Sequence, residues 1–135
     1  LGIPRYQLAR VALDRAVAML KDAGDFARDA VKIEAARAAA ACEAARTAIY
    51  AIVQKRADGL AVGPEASSAR YATVMAERAV SEFIVEHVPE ALAGASAYLQ
   101  MHHQRGIVAG IASGAAEIQL NIIAGDVLGL PREPR

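Results

Sequence analysis

Residues 25 to 57 read DFARDAVKIEAARAAAACEAARTAIYAIVQKRA. This stretch contains neither glycine nor proline, and alanine, the residue with the highest helix propensity, dominates it between Ala35 and Ala48. The pattern predicts one long helix from Asp25 to about Ala57. Acidic and basic side chains three positions apart are expected to pair on its solvent side, as in Asp25 with Arg28, Asp29 with Lys32 and Glu43 with Arg46.

Apolar residues recur at helical spacing on both sides of this stretch. The first predicted helix begins near Tyr6 and ends near Ala23. The third begins at Pro64, which suits the first helical position, and ends near His87. No strand pattern competes anywhere. Together with a C-terminal helix, these elements predict one all-α domain over residues 1–135, an up-and-down four-helix bundle with short connections and the alanine-rich helix packed against the third.

The C-terminal stretch, residues 113–132, reads SGAAEIQLNIIAGDVLGLPR. Ser113 is predicted to be the N-cap of a short final helix, which Gly129 and Pro131 end. The first turn of such a helix has backbone N–H groups without partners inside the helix, and these groups can bind an anion. Apolar residues form one predicted face of this helix: Ile118, Ile122, Ile123 and Val127.

Several polar residues and glycines have more than one interpretation. The charged side chains of the third helix, Glu77 among them, are expected on its polar side.

His102 and His103 are adjacent, and because neighbouring helical side chains point about 100° apart, a shared metal ion is disfavoured and a surface or interface position is predicted. Glycine recurs at every fourth position, which fits either close contact between helices or approach of the backbone to a ligand or a neighbouring chain: Gly106, Gly110 and Gly114.

Composition excludes several classes of function. Acidic and basic residues balance at 15 each, so the net charge predicts no binding to nucleic acid or to an anionic membrane. The single cysteine, Cys42, excludes a disulfide within the chain and offers no metal-ligand spacing, so we expect a buried structural thiol and no metal site. The absence of a signal-like start and of a long apolar run predicts a soluble, cytoplasmic protein.

The C-terminal stretch resembles the closing signature of the acyl-CoA dehydrogenases, written E-G-T-S-E-I-Q and continuing R-N-I-I-A-E-R-V-L-G-L-P-R. The matching residues are Gly114, Glu117, Ile118, Gln119, Asn121, Ile122, Ile123, Ala124, Val127, Leu128, Gly129, Leu130, Pro131 and Arg132. A weaker match lies upstream, where residues 63–70 resemble the P-E-A-S-x-A-K stretch of that family. The resemblance implies that residues 1–135 form roughly the last third of such a subunit.

The resemblance also implies a site. It predicts that FAD is the cofactor, that an acyl-CoA is the substrate, and that Gly114, Ala115 and Glu117 bind the flavin. Ser113 replaces the carboxylate that removes the α-proton, and a serine hydroxyl is no substitute for that base at neutral pH. Its backbone N–H is still expected to donate to the thioester carbonyl. Ala115 replaces a threonine that helps bind the flavin diphosphate, and one hydrogen bond is lost.

A further departure lies at residues 90–94, EALAG, where the family has a Q-x-x-G-G-x-G element that reaches the flavin of the neighbouring subunit. These changes are similar to those in heteromeric acyl-CoA dehydrogenases of sterol side-chain catabolism. The leading hypothesis is a flavin-dependent subunit that assembles with itself or with a homologous subunit. The alternatives are a non-catalytic partner subunit and a free-standing helical interaction module.

Overall fold

A computed structural model of the chain describes residues 4–111 and 115–131, and these residues form helices and turns without any strand. The five α-helices are α1, Arg5–Asp22; α2, Asp29–Ala57; α3, Glu65–His87; α4, Ala97–Val108; and α5, Ala116–Asp126. The all-α prediction is confirmed. None of the described helices has the length and apolar character needed to cross a membrane.

The chain bends between α1 and α2, where the sequence predicted a helix that begins at Asp25. That boundary was wrong. A short 3₁₀ turn, Asp25–Ala27, follows Gly24, which adopts the left-handed conformation at φ 79°. Arg28 is extended, and α2 begins only at Asp29. The turn brings Phe26 into contact with the core, and this contact offsets the loss of one helical turn.

The core lies where α2 packs on α3, as predicted, with α1 and α4 closing it. Small side chains of α2 point inward and allow the helix axes to approach closely, among them Ala35, Ala38, Cys42 and Ala45. Larger side chains fill the space from α3, including Val80, Phe83 and Ile84. Cys42 is buried, as predicted, and this burial raises the pKa of its thiol to about 11.

The fourth helix of the bundle is α4, whereas the sequence predicted the C-terminal helix in this place. A π-helical turn, Ala91–Ala95, contains Gly94, whose φ of 109° suits glycine alone. Ser96 then caps α4, because its hydroxyl oxygen accepts a hydrogen bond from the N–H of Leu99 at 3.3 Å. The Leu99 side chain is fully buried. Helix α5 packs against α3, outside the core that these four helices share.

Gly106 allows α4 to press directly on α3. A Cβ atom at this position would lie 2.9 Å from Cβ of Ser81, which is closer than real carbon atoms approach. Gly110 is similarly close to the guanidinium of Arg78. Close contact between helices therefore explains Gly106, and the alternative of a ligand or a neighbouring chain at this glycine is not needed.

We expect Gly106→Ala to lower the free energy of unfolding by about 1 to 3 kcal/mol, because the added methyl group overpacks a buried contact. Denaturant unfolding of the full-length protein measures this loss. Gly63→Ala is the matched control, since its Cβ would meet only the exposed end of the Glu65 side chain, at 3.2 Å. Equal losses in the two variants would show that the contact with Ser81 is not responsible.

Candidate functional site

Helix α5 begins at Ala116, and its N-cap is Ala115. The sequence predicted Ser113 as the N-cap, so the boundary is corrected by two residues. Alanine has no side-chain acceptor, and no side chain among the described residues caps this helix. Ser113 and Gly114, two of the predicted site residues, lie outside the described residues. Their roles toward substrate and flavin stay predictions, and so does the role of Ala115.

The first turn of α5 already uses backbone donors within the chain. The N–H of Ala116 donates to the carbonyl oxygen of Gly110 at 2.8 Å, and the N–H of Ile118 donates to that of Ala115 at 3.0 Å. A phosphate group at this helix start would have to compete with both bonds. The described backbone is therefore less suited to a pyrophosphate than the sequence pattern suggested.

Glu117 places a carboxylate, which is a hydrogen-bond acceptor, in the same first turn of α5. Its side chain is exposed in the first turn of α5, where the positive end of the helix dipole favours a carboxylate. A carboxylate accepts hydrogen bonds and repels phosphate, so it suits the hydroxyl groups of a ligand better than its phosphate groups. No cationic side chain lies beside Glu117 within α5.

The predicted apolar face of α5 is only partly covered in the single chain. Ile122 and Ile123 are half-buried, whereas Ile118 and Val127 are each 54% exposed. After the helix ends, Gly129 turns the chain at φ 64° and the N–H of Leu130 donates to the carbonyl oxygen of Ala124 at 2.9 Å. The returning tail and the helix enclose an open groove of about 420 Å³, lined by Ile118, Asn121, Ile122, Ala124, Gly125, Asp126, Leu130 and Pro131.

A charged cluster that the sequence did not predict lies inside the bundle, between α1, α3 and α4. Glu77 is only 2% exposed, so its predicted position on the polar side of α3 was wrong. Its Oε1 atom accepts a hydrogen bond from Nε of Arg5 at 2.8 Å. Burial raises the pKa of the Glu77 carboxyl, although the guanidinium of Arg5 opposes this shift.

His102 lies in the same cluster and is fully buried, so the prediction that it lies at a surface or interface was wrong. Burial, together with the smaller effect of the nearby charge of Arg105, lowers its pKa to about 4. The ring is therefore neutral at pH 7. Its neighbour His103 is half-buried, and the Nδ1 atom of His103 lies 2.7 Å from the hydroxyl of Ser81 on α3.

Sequence patterns missed this cluster because its members come from three helices. Each of the residues looks like an ordinary surface residue of its own helix, and only the packing of α4 on α3 brings His102 beside Glu77. The sequence contained one relevant signal, Gly106. A glycine inside a helix often marks close packing, here of α4 on α3 next to the cluster.

The family model described as the acyl-CoA dehydrogenase C-terminal domain matches residues 1–128. It covers nearly the whole chain, including α1 to α5 and the start of the returning tail. No curated protein matches the sequence.

Solved structures similar to this chain include one titled Tcur3481-Tcur3483 steroid ACAD and a glycine-to-alanine variant of it. Each superimposes with a TM-score of 0.77 at 20% sequence identity and covers 96% of this chain. The matched part is 37% of the first solved chain and 38% of the second, so this chain spans less than two fifths of their length. At this identity the likeness shows a shared fold.

Proposed function

This chain belongs to the acyl-CoA dehydrogenase family, and on that premise we propose that it is part of an FAD-dependent enzyme that dehydrogenates an acyl-CoA thioester between its α- and β-carbons. Its helical domain contributes to flavin binding and to assembly with a second subunit, either a copy of itself or a homologous chain. One observation carries this proposal. Helix α5 has an exposed carboxylate in its first turn and apolar side chains that the single chain leaves exposed.

In this proposal, Glu117 of α5 and Ser113, which precedes the helix in the sequence, have different tasks. When bound, FAD supplies the acceptor for the hydride that leaves the β-carbon. Glu117 accepts hydrogen bonds from the ribose hydroxyls and orients the adenosine part of the cofactor. The backbone N–H of Ser113 donates to the thioester carbonyl, which favours the charge that develops there. The base that removes the α-proton comes from another part of the enzyme, because Ser113 supplies none.

The exposed apolar residues of α5 and of the segment after it support the assembly of this domain with a second subunit. Ile118, Val127 and the tail residues Leu128 and Leu130 are all more than half exposed in the single chain. Several large apolar side chains exposed within one short segment are typical of an interface between subunits. The substrate class that we propose is an acyl-CoA with a sterol-derived side chain, because the similar solved structures are titled steroid ACAD.

A non-catalytic partner subunit is the second candidate, and one observation favours it. The donors of Ala116 and Ile118 are bonded within the chain, and Ala115 lacks the hydroxyl that the family uses at the flavin diphosphate. In that case the chain stabilises a flavin site that its homologous partner builds, and α5 serves assembly alone.

We expect Glu117→Gln to weaken flavin binding about tenfold, because a hydrogen bond to a charged group contributes about 1.5 to 3 kcal/mol and an exposed one lies at the low end. The full-length subunit is co-purified with its homologous partner, and flavin absorbance per chain is measured during dilution. Glu43→Gln on α2, an equally exposed glutamate, is the matched control.

Three results separate the candidates. A selective loss of flavin in Glu117→Gln supports cofactor binding by this chain. Equal flavin retention in both variants supports the partner subunit. Absence of flavin from every assembly contradicts the enzyme proposal. Ala115→Thr restores the family's hydroxyl, and if flavin retention then stays unchanged, position 115 does not contact the cofactor.

A further inference from the structure

Three metal-ligating side chains meet between α2 and α3. Glu34 belongs to α2, and Glu86 and His87 are the last two residues of α3. One ligand atom from each lies within 4.8 Å of the other two. The Nε2 atom of His87 is 2.5 Å from Oε2 of Glu34, so the two helices already meet at these atoms. No other such group occurs within the parts of the chain that the structure describes.

The packing around His87 holds its ring in place. The side chain is only 10% exposed, and its ring centroid lies 4.9 Å from that of Phe83 at an interplanar angle of 54°. Phe83 is part of the core. An imidazole fixed in this way loses little conformational entropy when its nitrogen binds a metal ion.

The electrostatic surroundings attract a cation. Glu86 and His87 lie at the C-terminal end of α3, where the helix dipole is negative. A groove of about 270 Å³ opens beside Glu86, and the residues that line it include Glu34, Glu82 and Glu86 but not His87. The guanidinium of Arg37 also lines the groove and reduces the negative charge by one. Three carboxylates against one arginine leave the groove acidic and open to solvent.

We propose that Glu34, Glu86 and His87 bind a divalent transition-metal ion of the Zn²⁺ type and thereby link α2 to α3. One imidazole nitrogen with two carboxylate oxygens is a ligand set that suits Zn²⁺. Mg²⁺ and Ca²⁺ prefer six or more oxygen ligands and gain nothing from the imidazole. Three protein ligands leave a fourth position, which a water molecule from the groove fills.

Binding requires a small local rearrangement. Zn²⁺ at about 2.0 to 2.1 Å from each ligand places tetrahedral ligand atoms about 3.3 Å apart. The Nε2 to Oε2 separation therefore opens from 2.5 Å, and the wider separations within the 4.8 Å group close. Glu34 is partly exposed and Glu86 is exposed, so both carboxylates can shift while His87 stays against Phe83.

Calorimetric titration of the untagged full-length protein with Zn²⁺, after treatment with a chelator, tests the proposal. We expect Zn²⁺ to bind, Mg²⁺ to give no signal, and Glu34→Gln and His87→Gln each to weaken Zn²⁺ binding about tenfold or more. The variant Glu34→Gln keeps an amide oxygen beside His87, so it tests the site even if His87→Gln folds poorly. His103→Gln, which removes a histidine outside the cluster, is the matched control.

Co²⁺ gives an independent readout. In a site with one nitrogen and few ligands, bound Co²⁺ absorbs visible light more strongly than hexaaqua Co²⁺, and this absorbance should appear in the wild type and in His103→Gln alone. Equal Zn²⁺ affinity in the wild type, Glu34→Gln and His87→Gln would overturn the proposal. The contact between His87 and Glu34 would then be a hydrogen bond between helices and nothing more.

Discussion

Arg5→Met is expected to lower the free energy of unfolding by about 3 kcal/mol or more, because it leaves a buried carboxylate without its ion-pair partner. Glu77 is almost fully buried, and Arg5 holds its Oε1 atom at 2.8 Å. Arg5 itself is 33% exposed, which places the expected loss at the lower end of the range for buried pairs. Denaturant unfolding of the full-length protein at pH 7 measures it.

The control is Arg10→Met, which removes two ion pairs that are exposed on both sides, with Asp14 and, at 4.0 Å, with Glu43. Arg10 and Asp14 pair at 3.0 Å on the surface of α1, and such pairs contribute about 0.2 to 1 kcal/mol. Adding Glu77→Leu to Arg5→Met removes the buried charge and should recover most of the lost stability. If Arg5→Met costs no more than Arg10→Met, Glu77 is not charged in the folded protein.

The cost of Arg5→Met should also depend on pH. Burial already raises the pKa of Glu77 above its usual value, so the folded state holds a proton on this carboxyl more tightly than the unfolded chain does. Removal of the Arg5 charge raises this pKa further. The stability that Arg5→Met loses at pH 7 is therefore regained as the pH falls through the raised pKa, where Glu77 becomes neutral.

Acid is expected to destabilise the protein through His102, by about 3 kcal/mol once the pH has fallen from 7 to below 4. The pKa of His102 is about 4 in the folded state, against an ordinary value of 6.5. The folded state resists protonation, so this stability is complete above pH 6.5 and is lost as the pH falls toward 4. The physical cause is that a fully buried imidazolium would lie without water near the charge of Arg105.

The measurement compares unfolding free energies at pH 7 and pH 4.5 in the wild type, His102→Leu and His103→Gln. The difference between the two pH values should shrink in His102→Leu, which has no proton to bind, and should persist in His103→Gln. Glu77 acts in the opposite direction over part of this range, so the comparison between variants isolates the histidine. An unchanged pH dependence in His102→Leu would contradict the buried, neutral ring.

The sequence predicted most of the fold because local signals mark the helix ends. The run of alanine without glycine or proline predicted α2, and the boundaries near Ala57, Pro64 and His87 lie at the predicted places. The main error was the fourth helix of the bundle. Glycines at 106 and 110 lower helix propensity, yet Gly106 is the residue that lets α4 approach α3, so packing outweighed propensity.

The candidate sites depended on tertiary structure to different degrees. Glu117 lies in the first turn of a helix, as its local sequence predicted. The burial of Glu77 and His102 could not be predicted, because it arises from contacts among three helices. The cluster of Glu34, Glu86 and His87 was even harder to predict from the sequence. Its hydrogen-bonded pair, Glu34 and His87, is separated by 53 positions along the chain. Spacing rules operate within one element and do not reach such pairs.

Helix α5 has one buried residue, Ala116, among those that the structure describes. The free energy of detaching this helix is therefore small compared with that of opening the bundle, and its amide protons exchange with solvent through local opening events of its own. In an assembled enzyme, a neighbouring subunit that covers Ile118 and Val127 would suppress those events. Subunit association would then stabilise the segment that carries Glu117, and under the proposed function this links flavin affinity to quaternary structure thermodynamically.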